Sequence, residues 1–430
     1  MKIVIRNLLH GKYAELEVDP ESTYAHLAAV AHNQLQLSER ACVTWIIEGK
    51  KLEDMDLTLV RSNVIAKDVI DFIVCTKKFL LTASADNTAK IWDVATGECA
   101  RTLLGHKDIV QSAVYSPDGD HIVTSSKDGT AKIWNACTGE CTWTSSGHED
   151  YHGLYITSAA HSPSRAHVVT SSLDDTAKIW DVKTGECILT LSGHMDDVTS
   201  AVYSPSGASV VTSSVDCTAK VWDAHTGDCR RTLAGHLSYV TSAAWSPDDT
   251  HVVTASFDQT VKIWDVRNGD CKLTLSGHTG QIHLAVYSPN GASVVTTSND
   301  CTARIWDTST GECRWTLTVG SYAAFAAWSP DGASVVTSSR DGTAKIWNAT
   351  TGECEITLSN GGSYATRAWR HFKWTIFGSG SLASAAWSPD EACVVTSSPD
   401  GTANVWDVAT GKCKLTLSGH AGTVVSVAYS

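Results

Sequence analysis

The sequence predicts an all-β fold, an eight-bladed β-propeller, preceded by a small α+β domain. Three observations carry this. A Trp-Asp or Trp-Asn pair recurs at Trp92, Trp134, Trp180, Trp222, Trp264, Trp306, Trp347 and Trp406, with spacings of 42, 46, 42, 42, 42, 41 and 59 residues. Six residues before each Trp stands an Asp that opens a turn phrase: Asp86, Asp128, Asp174, Asp216, Asp258, Asp300, Asp341 and Asp400. Residues 1–78 lack the pattern. Self-similarity at a fixed period of this length marks a repeat architecture, in which each unit is one supersecondary element.

Within a repeat, four short strands are legible. In residues 194–235, Val198–Ser204 alternates apolar and polar, Ser209–Ser214 is β-branched and apolar, Ala219–Trp222 follows a tight Asp216-Cys-Thr turn, and Cys229–Leu233 follows Thr226-Gly-Asp. Period-two alternation broken by turn residues is an all-β signature. One such sheet cannot bury both faces, whereas a ring of them can. Inner-strand phrases occur eight times, ending at residues 115, 161, 203, 245, 287, 328, 387 and 429. Phe79-Leu-Leu-Thr-Ala-Ser reads as a second strand without a first, and Val424–Ser430 as a first strand with no second after it. The two are expected to complete one blade, so that strand 423–430 closes a propeller spanning 79–430.

A Gly-His pair precedes the Trp by 28 residues at His106, His194, His236 and His278; His148 lies 32 before, and His420 ends the series. With the Asp and Trp phrases, these residues make 79–430 resemble the WD-repeat family over its whole length. The resemblance implies one blade per repeat. It also implies that His, a second-strand Ser or Thr, Asp and Trp form a structural hydrogen-bond network in each blade. His, Ser/Thr and Asp together are the elements of a hydrolase triad, but repetition in every regular unit argues for structure. Buried polar groups need such partners.

Residues 1–78 read as strand, turn, strand, helix, strand, strand: Lys2–Leu8, Tyr13–Val18, a helix over Thr23–Gln34, Val43–Ile47 and Val69–Val74. With Leu16-Glu-Val-Asp-Pro-Glu-Ser22 and Glu48-Gly-Lys-Lys-Leu-Glu-Asp54, this domain is similar to ubiquitin, which implies a β-grasp fold. Ubiquitin's recognition patch falls by that resemblance on Leu9, Ile46 and Ile73. The segment runs on into Cys75-Thr-Lys-Lys78 instead of a Gly-Gly end, so a conjugated modifier is not expected.

Composition excludes several function classes. The formal net charge is −13, which argues against nucleic acid or an anionic membrane as the main partner. No apolar run reaches membrane-spanning length, and the charged start opposes a signal peptide. A cytoplasmic or nuclear location is expected. Of fourteen cysteines, Cys99, Cys141, Cys187, Cys229, Cys271, Cys313, Cys354 and Cys413 fill one slot of the repeat. They are expected to be small buried hydrophobes. Cys137 and Cys141 lack a second ligand pair at zinc spacing, so no metal is expected. No phosphate-binding glycine loop precedes a helix, and no cofactor is expected.

Function is expected where repeats differ. Insertions fall around Glu149–Tyr155, bringing Tyr151 and His152, and in Asn360–Ser381, bringing Trp369, Arg370 and Trp374. Aromatic and Arg clusters suit binding hot spots. The residue before each repeated Asp also varies, including Lys127, Phe257 and Arg340. Ile263-Trp-Asp-Val-Arg267 carries the only Arg at its position; some WD-repeat receptors of cullin-RING ubiquitin ligases dock their adaptor through such an Arg. The reading is a non-catalytic scaffold presenting one face to peptides or proteins. The alternatives are a ubiquitin-ligase substrate receptor or proteasome adaptor, and a propeller enzyme. The sequence leaves oligomeric state open.

Overall fold

In the computed structural model, residues 78–145, 148, 155–359 and 384–430 are described, together with five strands of the N-terminal part. The chain divides into two compact units, Met1–Lys78 and Phe79–Ser430. The N-terminal unit holds a five-stranded sheet in the order Tyr13–Glu17, Lys2–Asn7, Val69–Thr76, Ala41–Ile47, Lys50–Lys51. Its first and last long strands pair in parallel, Val4 opposite Val69 and Asn7 opposite Phe72. The other neighbours are antiparallel. The expected helix over 23–34 lies outside the described residues.

The second unit holds eight four-stranded antiparallel sheets. The eight-bladed propeller expected from the repeat is what the chain forms. Blade four, Val198–Tyr203, Ser209–Ser214, Thr218–Asp223 and Cys229–Ala234, shows why this sequence builds it. The second strand is buried at every position, so the Val-Val-Thr-Ser-Ser run faces a neighbour on both sides. The third strand alternates, placing Ala219, Val221 and Trp222 inside and Lys220 outward. On the outer strand only Leu233 is buried. A one-residue register shift occurs where Trp222 meets Cys229, a β-bulge that adds twist at the outer edge.

The core consists of layers between blades. Val169, Ala177, Ile179 and Leu191 of blade three pack with Ala201, Tyr203, Val210 and Trp222 of blade four. Equivalent layers recur at the other seams. Each Trp therefore packs against the preceding blade, and no blade is a separate folding core. Hydroxyls join some seams near the axis: Thr157, Thr199 and Thr241 donate to the Val198, Val240 and Ile282 carbonyls of the next blade at 2.9, 2.8 and 2.9 Å.

Blade one is assembled from both ends of the propeller. Val424–Tyr429 pairs with Phe79–Ser84, setting Val424 opposite Ser84 and Tyr429 opposite Leu80. This covers a strand edge that would otherwise expose unpaired backbone groups.

Candidate functional site

The Gly-His loops and the repeated Asp turns lie on one face of the ring, called here the top. In blade five the Asp258 carboxylate accepts from the Nδ1 of His236 (2.8 Å), the Leu237 amide (2.9 Å) and the Thr260 amide and hydroxyl (2.9 and 2.7 Å). His236 Nε2 lies 2.7 Å from the Thr254 hydroxyl, which accepts from Trp264 Nε1 at 2.8 Å. One proton arrangement satisfies all four groups. The indole donates to Thr254, the Thr254 hydroxyl donates to Nε2, and Nδ1–H donates to the carboxylate.

The same chain runs through His106, Thr124, Asp128 and Trp134. It recurs through His148, Thr170, Asp174 and Trp180 and through His194, Thr212, Asp216 and Trp222. His278, Thr296, Asp300 and Trp306 repeat it in blade six. In blade one His420 reaches across the ring closure to Thr82 and Asp86. Blade seven keeps the Trp347–Thr337 bond, but Val319-Gly320 replaces the Gly-His pair and Asp341 takes the Ser339 hydroxyl instead.

Electrostatics within the chain are lopsided. Burial pushes the Asp258 carboxyl up, but the Thr260 hydroxyl, the Leu237 amide and the His236 ring outweigh it and hold the carboxyl at about 2. Burial pulls His236, His278 and His420 below 6.5 despite their aspartates. These rings are therefore neutral beside ionised carboxylates. With both nitrogens committed and its side chain fully covered, the His236 ring has no free nitrogen to act as a general base.

The residues before the repeated Asp fall into distinct surroundings. Phe257 lies between Tyr239, at 6.0 Å between ring centroids, and His283 of the next blade, at 5.6 Å and near-perpendicular. His283 Nε2 bonds Asn299 Oδ1 at 2.7 Å. Lys127 sits over the Tyr155 ring at 5.3 Å, and Arg340 over Tyr322 at 5.9 Å. Val215, at the same repeat position, is buried at 5 % exposure and contributes no surface. Sequence reasoning missed Met195 and Leu237, which follow the repeated His194 and His236 and are 87 % and 90 % exposed. It also missed Tyr239, His283 and the acidic trio Asp175, Asp196 and Asp197, whose carboxylates lie within 4.8 Å of one another. Variation just after each Gly-His pair is the signal that points to Met195 and Leu237. A hard cation wants six or more oxygens, and three partly exposed carboxylates do not supply that shell.

Arg267 lies exposed in the turn after the third strand of blade five, on the opposite face. Its amide donates to Asp265 and its carbonyl accepts from Arg231 Nε at 3.1 Å. Tyr151, His152, Trp369, Arg370, Trp374 and Leu9 lie outside the described residues. Ile46 and Ile73 fall on the strands Ala41–Ile47 and Val69–Thr76, Ile46 opposite Asp71 and Ile73 opposite Thr44.

The cysteine expectation is corrected. Cys99, Cys141, Cys187, Cys229, Cys271, Cys313, Cys354 and Cys413 are all exposed free thiols. Each begins an outer strand, the one strand of a blade with no neighbour beyond it. The thiol turns back to the carbonyl two residues on, as Cys99 does to Arg101 at 3.2 Å. Among the described residues no helix is long and apolar enough to cross a membrane.

The architecture and the repeated network define a repeat-built β-propeller. Comparison with known proteins agrees. The family model described as WD domain, G-beta repeat matches residues 73–93, 97–135, 139–181 and 371–407, and that described as IFT122 first beta-propeller matches 198–381. The chain carries WD40 repeats folded as an eight-bladed β-propeller. Short stretches resemble individual proteins: 41 residues are 49 % identical to the Lissencephaly-1 homolog of Branchiostoma floridae, covering 10 % of each chain. Another 40 are 52 % identical to Nuclear distribution protein PAC1 of Coccidioides posadasii (strain C735), covering 9 % of this chain and 8 % of that one. The matches thus span about a tenth of the relatives' length.

Proposed function

We propose that the protein is a non-catalytic scaffold whose propeller top face holds peptide or protein partners. The observation that carries this is the Tyr239–Phe257–His283 cluster, half-buried at the junction of blades five and six beside the fully exposed Leu237. Framework residues repeat from blade to blade, whereas these do not, and large rings at the centre of a surface are what interfaces use. Proximity labelling with the full chain and with the Phe257→Ala/Arg340→Ala variant tests it. One set of labelled proteins is expected to vanish while the melting temperature holds; an unaltered set refutes the reading.

The N-terminal unit is read as a ubiquitin-like module, supported by its sheet order with parallel first and last strands. A substrate receptor or adaptor of a ubiquitin ligase is the second reading, favoured by the exposed Arg267 in its Trp-Asp-Val-Arg turn. Co-precipitation of a ligase adaptor that is lost on Arg267→Ala supports it; co-precipitation unaffected by that change sinks it. Location in cytoplasm or nucleus, and partners that are neither nucleic acid nor membrane, complete the proposal.

A further inference from the structure

We propose that the top of blades three to five takes an extended peptide segment of basic residues alternating with large apolar ones. This rests on the scaffold reading above and names the chemistry of its partner.

The residues concerned lie on three neighbouring blades. Met195, Asp196 and Asp197 are consecutive in the loop entering blade four, and Asp175 of the blade-three turn reaches Asp196 and Asp197. The Met195 amide is tied to Asp216 at 3.1 Å and the Leu237 amide to Asp258 at 2.9 Å, so the two exposed apolar side chains stand at equivalent points of neighbouring blades. Cys217 joins the two halves: burial raises its thiol pKa, and Asp216, Asp258 and Asp196 all act on it in the same direction. Two residues after Leu237 comes Tyr239, whose ring lies 6.0 Å from that of Phe257 in the same blade.

Charge selects the occupant. The trio is a local excess of negative charge: burial raises the Asp197 carboxyl to about 6, and repulsion from Asp196 and Asp175 adds to it. No Lys or Arg of the described residues forms an ion pair with any of the three. A guanidinium or ammonium placed there relieves that repulsion and is steered toward it. Met195, next to the trio, and Leu237, one blade further on, would cover apolar side chains of the same segment. Extended chain suits the row because alternate side chains point the same way.

The test uses the full chain and three short synthetic peptides, read by fluorescence anisotropy. One alternates Arg with Leu and Phe, the second has Glu for Arg, and the third has Ser for Leu and Phe. The Arg–apolar peptide is expected to bind roughly tenfold tighter than either counterpart, equivalent to about 1.4 kcal/mol. Asp196→Asn/Asp197→Asn should erase its advantage over the Glu peptide, and Leu237→Ser its advantage over the Ser peptide, with unchanged melting curves. Equal binding of Arg and Glu peptides, tighter binding of the Glu peptide, or indifference to the Asn variants overturns the proposal. If no peptide binds while Phe257→Ala/Arg340→Ala still strips labelled partners, the partner chemistry is wrong and the scaffold reading stands.

Discussion

Thr254→Val isolates the energetic weight of the blade network. Thr254 is fully buried, and valine is nearly isosteric, so packing changes little. The lost hydroxyl strands two buried groups, Trp264 Nε1–H and His236 Nε2. An unsatisfied buried polar group costs about 1–3 kcal/mol, which gives about 2–6 kcal/mol for the pair. Blade seven supplies an internal control. Thr337 there serves Trp347 alone among the described residues, so Thr337→Val should cost about 1–3 kcal/mol, half as much. Urea unfolding measures both, provided the slope of free energy against denaturant is unchanged. Equal losses at the two sites, or a loss at Thr254 below about 1 kcal/mol, would refute the shared-hydroxyl argument.

Deleting Ala421–Ser430 removes the strand paired with Phe79–Ser84 and should abolish cooperative thermal unfolding by circular dichroism; an unchanged melting curve contradicts it. Gly342→Ala, at φ +84° with nothing within 4 Å of the added Cβ, should cost only the left-handed backbone term of about 1–2 kcal/mol. Gly185→Ala should cost clearly more in the same urea assay, because its Cβ would run into the Trp143 ring, whose Nε1 bonds the Gly185 carbonyl. Acid should weaken the fold in two stages. His236, His278 and His420 titrate below their ordinary 6.5 when folded, so the unfolded chain takes up protons first and stability is lost as pH falls below 6.5. Asp258 titrates at about 2 against 3.8, so its contribution is whole above 3.8 and lost as pH falls toward 2. Melting temperature against pH checks both, and a flat profile between pH 7 and 5 would contradict the first.

The ring and its network were legible because each depends on residue types that only one position tolerates. A Trp that must donate, an Asp that must cap a turn and a His that must bridge them announce themselves by spacing. Burial was less legible. The repeated Cys slot carried period but no depth, since a strand start at a bulge and a core position recur with equal regularity. Variation misled in the opposite direction at Val215, where a changing residue is interior. The inter-blade wedge of Trp143 on Gly185, like that of Trp315 on Gly352, was hidden because its partners lie a full repeat apart. The binding-face candidates Lys127, Phe257 and Arg340 were named from variation alone. Their ring partners Tyr155, Tyr239, His283 and Tyr322 emerge only once neighbouring blades are side by side.

The composite first blade sets a timetable for biosynthesis. Thr82 waits for His420, 338 positions later. At roughly 5–20 residues per second of translation, that interval is about 17–70 s. Throughout it the edge of Phe79–Ser84 stands open to wrong pairing, and seven blades accumulate on the ribosome as an arc. Ring closure therefore follows synthesis of the other seven blades.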